Sequence, residues 1–320
     1  MEDQRIAVVD DSLAKAVRRL GLVDRRVLVA VSGGADSLCL LVGLKRLGVR
    51  LEAACIDHGL RAESSSEVNV VAGHCERLKL PFHSRRLSIS ASTGLEAIAR
   101  DARYAALEAI RAGHGLDLVA TGHTASDQAE TVLMRLARGA ALSGARGILE
   151  RRADRVVRPL LAVTRAETRA YVEALGFVAV RDPMNEDRAF TRVRVRCDVM
   201  PRLLAAVGPG AERALARFAR LAEEDDSLLE DLARTAYARA MLADGSLDRV
   251  ALVSFQRPVQ RRVLAMFLEQ ASIPIDATVI DECLASVEVG GSATLPLDCL
   301  LTAKGGRVHI EPSPPRRASG

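Results

Sequence analysis

The amino-acid sequence predicts an α/β protein: a doubly wound parallel sheet followed by a second, smaller, mainly helical domain. Three observations carry that expectation. Apolar runs alternate with segments of helical period over residues 26–138, the pattern of β-α units laid on a parallel sheet. A glycine-rich loop stands directly between the first apolar run and the helix that follows it. A Gly-Pro-Gly break at 208–210 then separates this region from a stretch dominated by helical patterns.

In chain order, a short amphipathic helix is expected around 10–20. Strands follow at 26–31 (RVLVAV), 51–57 (LEAACID), 82–89 and 116–121 (LDLVAT), nearly all buried, with helices near 36–47, 63–79, 94–113 and 125–138. A less regular stretch over 139–155 precedes VVRPLL at 156–161 and a helix from about 164 to 175. An Arg-rich segment then runs to Pro201. These boundaries give a first domain over 1–206, a linker at 207–210 and a second domain over 211–312, with helices at 211–243 and 256–289 and a short β-like stretch at its end. The tail over 313–320 is too rich in Pro and small residues to fold alone.

With 320 residues, 49% of them hydrophobic, the chain can build two cores and is not compositionally disordered. Its N-terminus has early acids and no uninterrupted apolar run, so it reads as neither secretory signal nor membrane anchor, and a cytoplasmic location is expected. Cys39, Cys55, Cys75, Cys197, Cys283 and Cys299 are scattered and form no C-x-x-C pair, which argues against a zinc ribbon, a redox couple or a cluster site and for buried free thiols. Residues 131–202 hold fifteen Arg, no Lys and eight acids, a local net of +7 in a chain whose formal net is only +4. Such a basic segment suits a polyanionic partner such as RNA, although Arg-rich helices also serve as solvated faces.

The strongest chemical signal is the run Ser32, Gly33, Gly34, Ala35, Asp36, Ser37 between a strand and a helix. Glycines let backbone N–H groups approach phosphate oxygens, the serines can donate hydroxyl hydrogen bonds, and the helix N-terminus adds positive potential. Asp36 would be repelled by a polyphosphate unless a cation intervened, which assigns it to Mg²⁺. The loop is not the G-x-x-x-x-G-K-[ST] pattern, and no Lys follows to reach outer phosphates. Two other strand ends carry polar residues: Asp57 with His58, and Gly122 with His123 ahead of Asp127 and Glu130. Gly122 permits a close backbone approach. Asp127 and Glu130 share one helical face, which suits an ammonium group or a metal, yet an acidic first turn is also ordinary capping.

The glycine loop resembles that of the PP-loop ATPases, Rossmann-like enzymes that cleave ATP between its α and β phosphates to adenylate an acceptor oxygen. The combination of SGGADS, IDHGLR, EAIARDARY, TGHTASDQAETVLMRLARG, RPLL and DPMNEDRAFTRVRVRCDVMPRL, in that order over most of residues 27–204, is similar to the tRNA(Ile)-lysidine synthetase family. The family usually has Arg-Asn in the last motif, where this chain has Arg192-Val193.

The resemblance implies that ATP adenylates the ring carbonyl oxygen of the wobble cytidine in the CAU anticodon of tRNA(Ile), and that the side-chain amine of L-lysine then displaces AMP. It implies roles for Asp36 with Mg²⁺, for Asp127 and Glu130 in holding lysine, and for Arg103 in neutralising developing charge or orienting a carboxylate. Ser32, Gly33, Gly34, Ala35, Ser37, Asp57, His58, Gly122 and His123 would surround the nucleotide. Either carboxylate could take the amine's proton. Arg188, Arg192 and Arg196 lie one helical turn apart and are expected to meet RNA phosphates, with Arg194 pointing elsewhere on the same segment; ion pairs to Asp187 and Asp198 are the plain alternative. Thiolation or amide synthesis would want a catalytic cysteine pair or a glutaminase nucleophile, and a non-catalytic RNA-binding relative would be expected to lose Asp36 or the acidic pair. The chain is expected to work as a monomer or homodimer, without a membrane.

Overall fold

The computed structural model describes residues 2–57, 64–87, 95–180 and 187–313. His58, the DP-x-N part of the last motif and the tail beyond 313 lie outside the described residues.

The chain opens with helix α1 (Glu2–Arg19), a turn or two longer than the short helix expected. Val9, Leu13, Ala16, Val17 and Leu20 recur at three- and four-residue spacings and are all buried, so the apolar stripe supports the full length. Strand β1 (Arg26–Ala30), helix α2 (Ala35–Arg46), strand β2 (Arg50–Asp57), helix α3 (Ser64–Arg77) and strand β3 (Phe82–Arg86) follow. Helix α4 (Leu95–Gly113), strand β4 (Leu118–Thr121) and helix α5 (Ala125–Leu136) complete the expected alternation. A one-turn helix α6 (Leu142–Ala145) and a short strand β5 (Val156–Val157) extend it, and helix α7 (Arg165–Ala174) lies where a helix was predicted.

All five strands run parallel in the order β3-β2-β1-β4-β5. The first two crossovers move outward from β1 in one direction, and α4 carries the chain back past β1 to place β4 on its other side. Alternation along the strands separates two cores. Val27, Val29, Ala53, Cys55, Leu118 and Ala120 join α1, α2 and α7 on one face. Leu28, Ala54, Val119 and Val156 join Leu107 of α4 on the other. The expectation that the strands are nearly all buried fails for β3, whose last three residues, Ser84, Arg85 and Arg86, are exposed. It is an edge strand, and charge on an edge discourages pairing with another chain.

Between Phe190 and Gly208 the backbone runs as a short helix α8 (Thr191–Arg194), a π-type turn (Val195–Val199) and helix α9 (Met200–Val207). Val193, standing where the family usually has Asn, is buried. The chain breaks between helices at Gly208, then enters the 30-residue helix α10 (Ala211–Ala240). Two compact units divide at Glu223 and Glu224, inside α10 and past the predicted linker.

The second unit combines the end of α10 with strand β6 (Leu247–Asp248), helices α11 (Arg249–Ser254), α12 (Arg257–Gln270) and α13 (Ala277–Val289), and strands β7 (Ser292–Leu295), β8 (Cys299–Lys304) and β9 (Arg307–Pro312). Its antiparallel sheet has the order β6-β9-β8-β7, more extensive than the short β-like stretch expected. Leu252, Leu264, Leu268, Leu284, Leu301 and Val308 form its own core. No described helix is long and apolar enough to cross a membrane.

Leu13 is fully buried where α1 meets α2 and α7; a Cβ added at Gly43 would run into its Cδ1 and lie near the Tyr171 hydroxyl. Leu13→Ala is expected to cost about 2–5 kcal/mol, seen as a lowered urea midpoint in far-UV circular dichroism. An unchanged midpoint would mean that α1 does not contribute to the core of the first unit.

Candidate active site

The crevice of a doubly wound sheet opens where successive crossovers diverge, here between the carboxyl ends of β1 and β4. Ala30 is in register with Thr121, so the loops that follow leave the sheet side by side. Gly33 adopts φ +83, a conformation that any side chain would strain. Gly34 is the N-cap of α2. The Ser37 hydroxyl donates to the Gly34 carbonyl at 2.9 Å and accepts from the Ser32 backbone N–H at 3.2 Å, closing the loop on itself. Ala35 and Asp36 begin the helix. The close approach expected at Gly122 is made by the protein itself: a Cβ there would lie 3.0 Å from backbone atoms of Asp36 and Ser37.

Asp127 and Glu130 do share a face of α5, and Asp127 performs both roles that its sequence position allowed. Its Oδ2 accepts from the Thr124 N–H and hydroxyl, each at 2.8 Å, completing a capping box. Its Oδ1 is left to meet cations. Arg165 Nη2 donates to it at 2.7 Å and Arg192 Nη2 at 3.1 Å. Glu130, with a side chain only 1% exposed, accepts from Arg165 Nη1 at 2.9 Å, Arg192 Nε at 3.0 Å and Arg196 Nε at 2.8 Å. Arg165 also reaches the third acid, its Nε lying 3.5 Å from Asp36 Oδ2, while the Thr168 hydroxyl donates to Asp36 Oδ1.

The electrostatics follow from this packing. Burial works to raise the Asp127 carboxyl, but Arg165 and then Arg192 outweigh it and hold it down at about 2. Glu130 is lowered as well, the hydrogen bond from Arg196 leading against burial. Asp36 moves the other way: burial raises it, partly offset by Thr168, and the nearby Asp127 charge adds to the rise. A cation beside Asp36 would relieve that cost, and a single hard carboxylate suits Mg²⁺, which takes most of its remaining ligands from phosphate and water. His123, whose Nδ1 lies 3.0 Å from the Thr121 hydroxyl, is lowered to about 3 by burial, with Arg158 and Arg103 nearby, and is therefore neutral near pH 7. The buried Nε of Arg103 has no hydrogen-bond partner among the described residues, so it is available to a ligand oxygen.

The structure therefore brings Asp36, Asp127 and Glu130 into one network, with the glycine loop and His123 around it. Asp57 ends β2 with Oδ2 3.6 Å from Arg86 Nε. The expected outward stripe of arginines does not form. Arg192 and Arg196 turn inward to the acids, because two buried carboxylates demand counter-charge. Arg188 pairs with Asp198 at 3.2 Å, and Arg194 folds back onto the Arg188 and Ala189 carbonyls. Sequence reasoning missed Arg165 and Thr168. A signal was present: Thr164 and Glu167 form a capping box, which puts Arg165 at the first position of α7, where the helix dipole disfavours a cation unless acids hold it. Cys39, Cys55, Cys75 and Cys283 are buried free thiols as expected, with Cys55 pushed up to about 12 by burial, whereas Cys197 is exposed and Cys299 half-buried.

Fold and loop together define a PP-loop nucleotide-binding protein, and a model of the PP-loop domain matches residues 7–203. The U34-tRNA thiolase NcsA from Methanococcus maripaludis, with its [4Fe-4S] cluster, shares this fold at a TM-score of 0.60 and 18% identity, over 70% of this chain and 80% of that one. More specific likeness comes from sequence. The tRNA(Ile)-lysidine synthase of Streptomyces coelicolor is 38% identical over 304 residues, covering 89% of this chain and 84% of the relative. That of Thermobifida fusca is 36% identical over 96% of this chain and 92% of the relative. That of Thermus thermophilus is 39% identical over 91% of this chain, but the alignment covers 57% of that longer protein. The chain belongs to the tRNA(Ile)-lysidine synthase family.

Glu130→Gln leaves Arg192 and Arg196 short of a buried partner and is expected to cost about 3 kcal/mol in denaturant unfolding. Acidification is expected to destabilise the first unit in two stages. His123 protonates in the unfolded chain near its ordinary 6.5 but in the folded chain only at about 3, so its contribution is lost as pH falls between those values. Asp127 contributes above its ordinary 3.8 and loses that contribution as pH falls toward about 2. The melting temperature of His123→Asn should decline less than that of the natural chain between pH 6.5 and 4.5; identical declines would place the titration elsewhere.

Proposed function

We propose that this chain is an ATP-dependent ligase that joins L-lysine to the wobble cytidine of the CAU anticodon of tRNA(Ile), with Mg²⁺ as the ion that accompanies ATP. The observation that carries the reading is the position of the Asp127 and Glu130 pair. It is a buried acidic pair that already holds cationic side chains, tied by Arg165 to the carboxylate at the head of the glycine loop. Kinship with the lysidine synthases supports the same choice.

In this reading the glycine loop and the α2 N-terminus hold the phosphates of ATP through backbone N–H groups and the hydroxyls of Ser32 and Ser37. Mg²⁺, when bound, supplies charge neutralisation for the triphosphate, with Asp36 as its protein ligand. The cytidine carbonyl oxygen attacks the α phosphorus, forming a bond to AMP while pyrophosphate leaves. Arg103, with its unsatisfied buried Nε, donates to an oxygen of this intermediate. The lysine side-chain amine, in its neutral form, then forms a bond to the ring carbon that carries this oxygen; the carbon–oxygen bond breaks, AMP departs with the oxygen, and the amine's protons pass to solvent.

Asp127 and Glu130 receive the lysine ammonium by exchange with one of the guanidiniums now on them. Asp127, held near 2, is a poor proton acceptor and is suited to binding the ammonium rather than deprotonating it. Whichever of Arg192 and Arg196 is exchanged joins Arg188 and Arg194 as a cation for RNA phosphates. Asp57, His58, Gly122 and His123 complete the nucleotide's surroundings, His123 as a neutral hydrogen-bonding ring. Thiolation is disfavoured because the cysteines are scattered without a C-x-x-C pair, and burial raises the Cys55 and Cys75 thiols.

The test is retention of labelled lysine on an isoleucine tRNA transcript carrying CAU, with Mg-ATP, beside a wobble-substituted transcript. Label is expected on the CAU transcript alone, falling by about 100-fold or more in Asp36→Ala. Pyrophosphate release without retained lysine would replace the nucleophile, and no release at all would overturn the ligase reading.

A further inference from the structure

The end of the sheet opposite the glycine loop carries a second cluster of chemistry-bearing side chains that the ligation does not use. Glu52 lies near the start of β2, His83 near the start of β3, and His114 directly follows α4. Each offers one ligand atom, and the three atoms lie within 4.8 Å of one another. His83 Nε2 is 2.7 Å from Glu52 Oε2, and the two imidazole rings have centroids 4.1 Å apart.

Three features distinguish this cluster from an ordinary carboxylate–imidazole hydrogen bond. Glu52 is oriented from behind, because its other oxygen accepts from Arg26 Nη2 at 3.0 Å; this is how a metal-binding carboxylate is commonly fixed. The His114 ring has no hydrogen-bond partner among the described residues, yet it packs against His83 where a carboxylate is already satisfied. An open cleft of about 460 Å³, lined by His83 and His114 together with Phe82, Arg85 and Ile110, adjoins the rings and leaves room for water.

We propose that Glu52, His83 and His114 form a binding site for a divalent transition ion of the zinc class, with a fourth position open to water from the cleft. Two imidazole nitrogens and one carboxylate oxygen are a donor set that zinc accepts with an open fourth position, whereas Mg²⁺ prefers oxygen alone. The ion replaces the proton shared between His83 and Glu52, and a small closure of His114 completes the set. It links β2, β3 and the end of α4, so its first effect is on the stability of the exposed β3 edge. The site stands independently of the ligase reading, since none of its residues belongs to the nucleotide crevice.

The test uses the untagged full-length chain, stripped with chelator and titrated with Zn²⁺ by calorimetry and with Co²⁺ by visible absorption. One equivalent is expected to bind, with a four-coordinate cobalt spectrum and a rise in melting temperature. His114→Ala, which removes an exposed ring without a hydrogen bond, should fold normally and bind at least about tenfold more weakly. Glu52→Gln should do the same, and a Cys197→Ser variant, lacking the exposed thiol, should bind as the natural chain does. Absence of binding in the natural chain, affinity unchanged in His114→Ala, or loss of binding in Cys197→Ser would each overturn the proposal.

Discussion

Glu130 and Asp127 are carboxylates almost removed from water, and they remain ionised only because guanidiniums stand against them. An isolated buried carboxylate would instead take up a proton, at a cost of several kcal/mol. Arg165, Arg192 and Arg196 come from two separate stretches of chain, so the need to neutralise two acids on α5 draws α7 and the segment around the π-type turn onto the same spot. Asp36 is drawn in through Arg165 and Thr168. The first unit thus has a charged knot at its functional edge, with an equal number of acids and arginines in it.

That knot forms at a place prepared by the backbone. The N-termini of α2, α5 and α7 all open near it, with Asp36, Asp127 and Arg165 in their first turns. Helix N-termini carry partial positive charge, which favours the two acids and disfavours the arginine. Arg165 is therefore held by side-chain pairs against the local backbone field. The packing of Gly122 against Asp36 and Ser37 locks the β4 loop to the glycine loop, so the two halves of the site have little freedom to separate. The site thus has close-packed backbone beneath and paired charged side chains above.

The π-type turn at Val195–Val199 belongs to the same account. It inserts between α8 and α9 just where Arg196 must reach Glu130, and such turns occur mostly where a helix is adjusted to serve a site. Val193, on the same segment, is buried, so the position that usually carries Asn in the family here contributes packing rather than a polar contact.

Much of this was legible in the one-dimensional pattern. Period-two and helical spacings identified the β-α units, the Gly-Gly run announced a phosphate loop, and the spacing of Asp127 and Glu130 put them on one face, because these are local properties of short stretches of chain. The breadth of the C-terminal sheet was not legible: β6 is two residues long and pairs with β9 about sixty residues away, and no local period encodes such a partner. Nor was the direction of the arginines. Sequence spacing says which residues share a helical stripe, but whether that stripe meets solvent or buried acids depends on what the fold places opposite it. By itself the sequence determined the chemistry available, a glycine loop, an acid at its head and an acidic pair. Only the tertiary structure decided that Arg165, Arg192 and Arg196 neutralise that pair, since the energy of a buried charge is set by distant parts of the chain brought within about 3 Å.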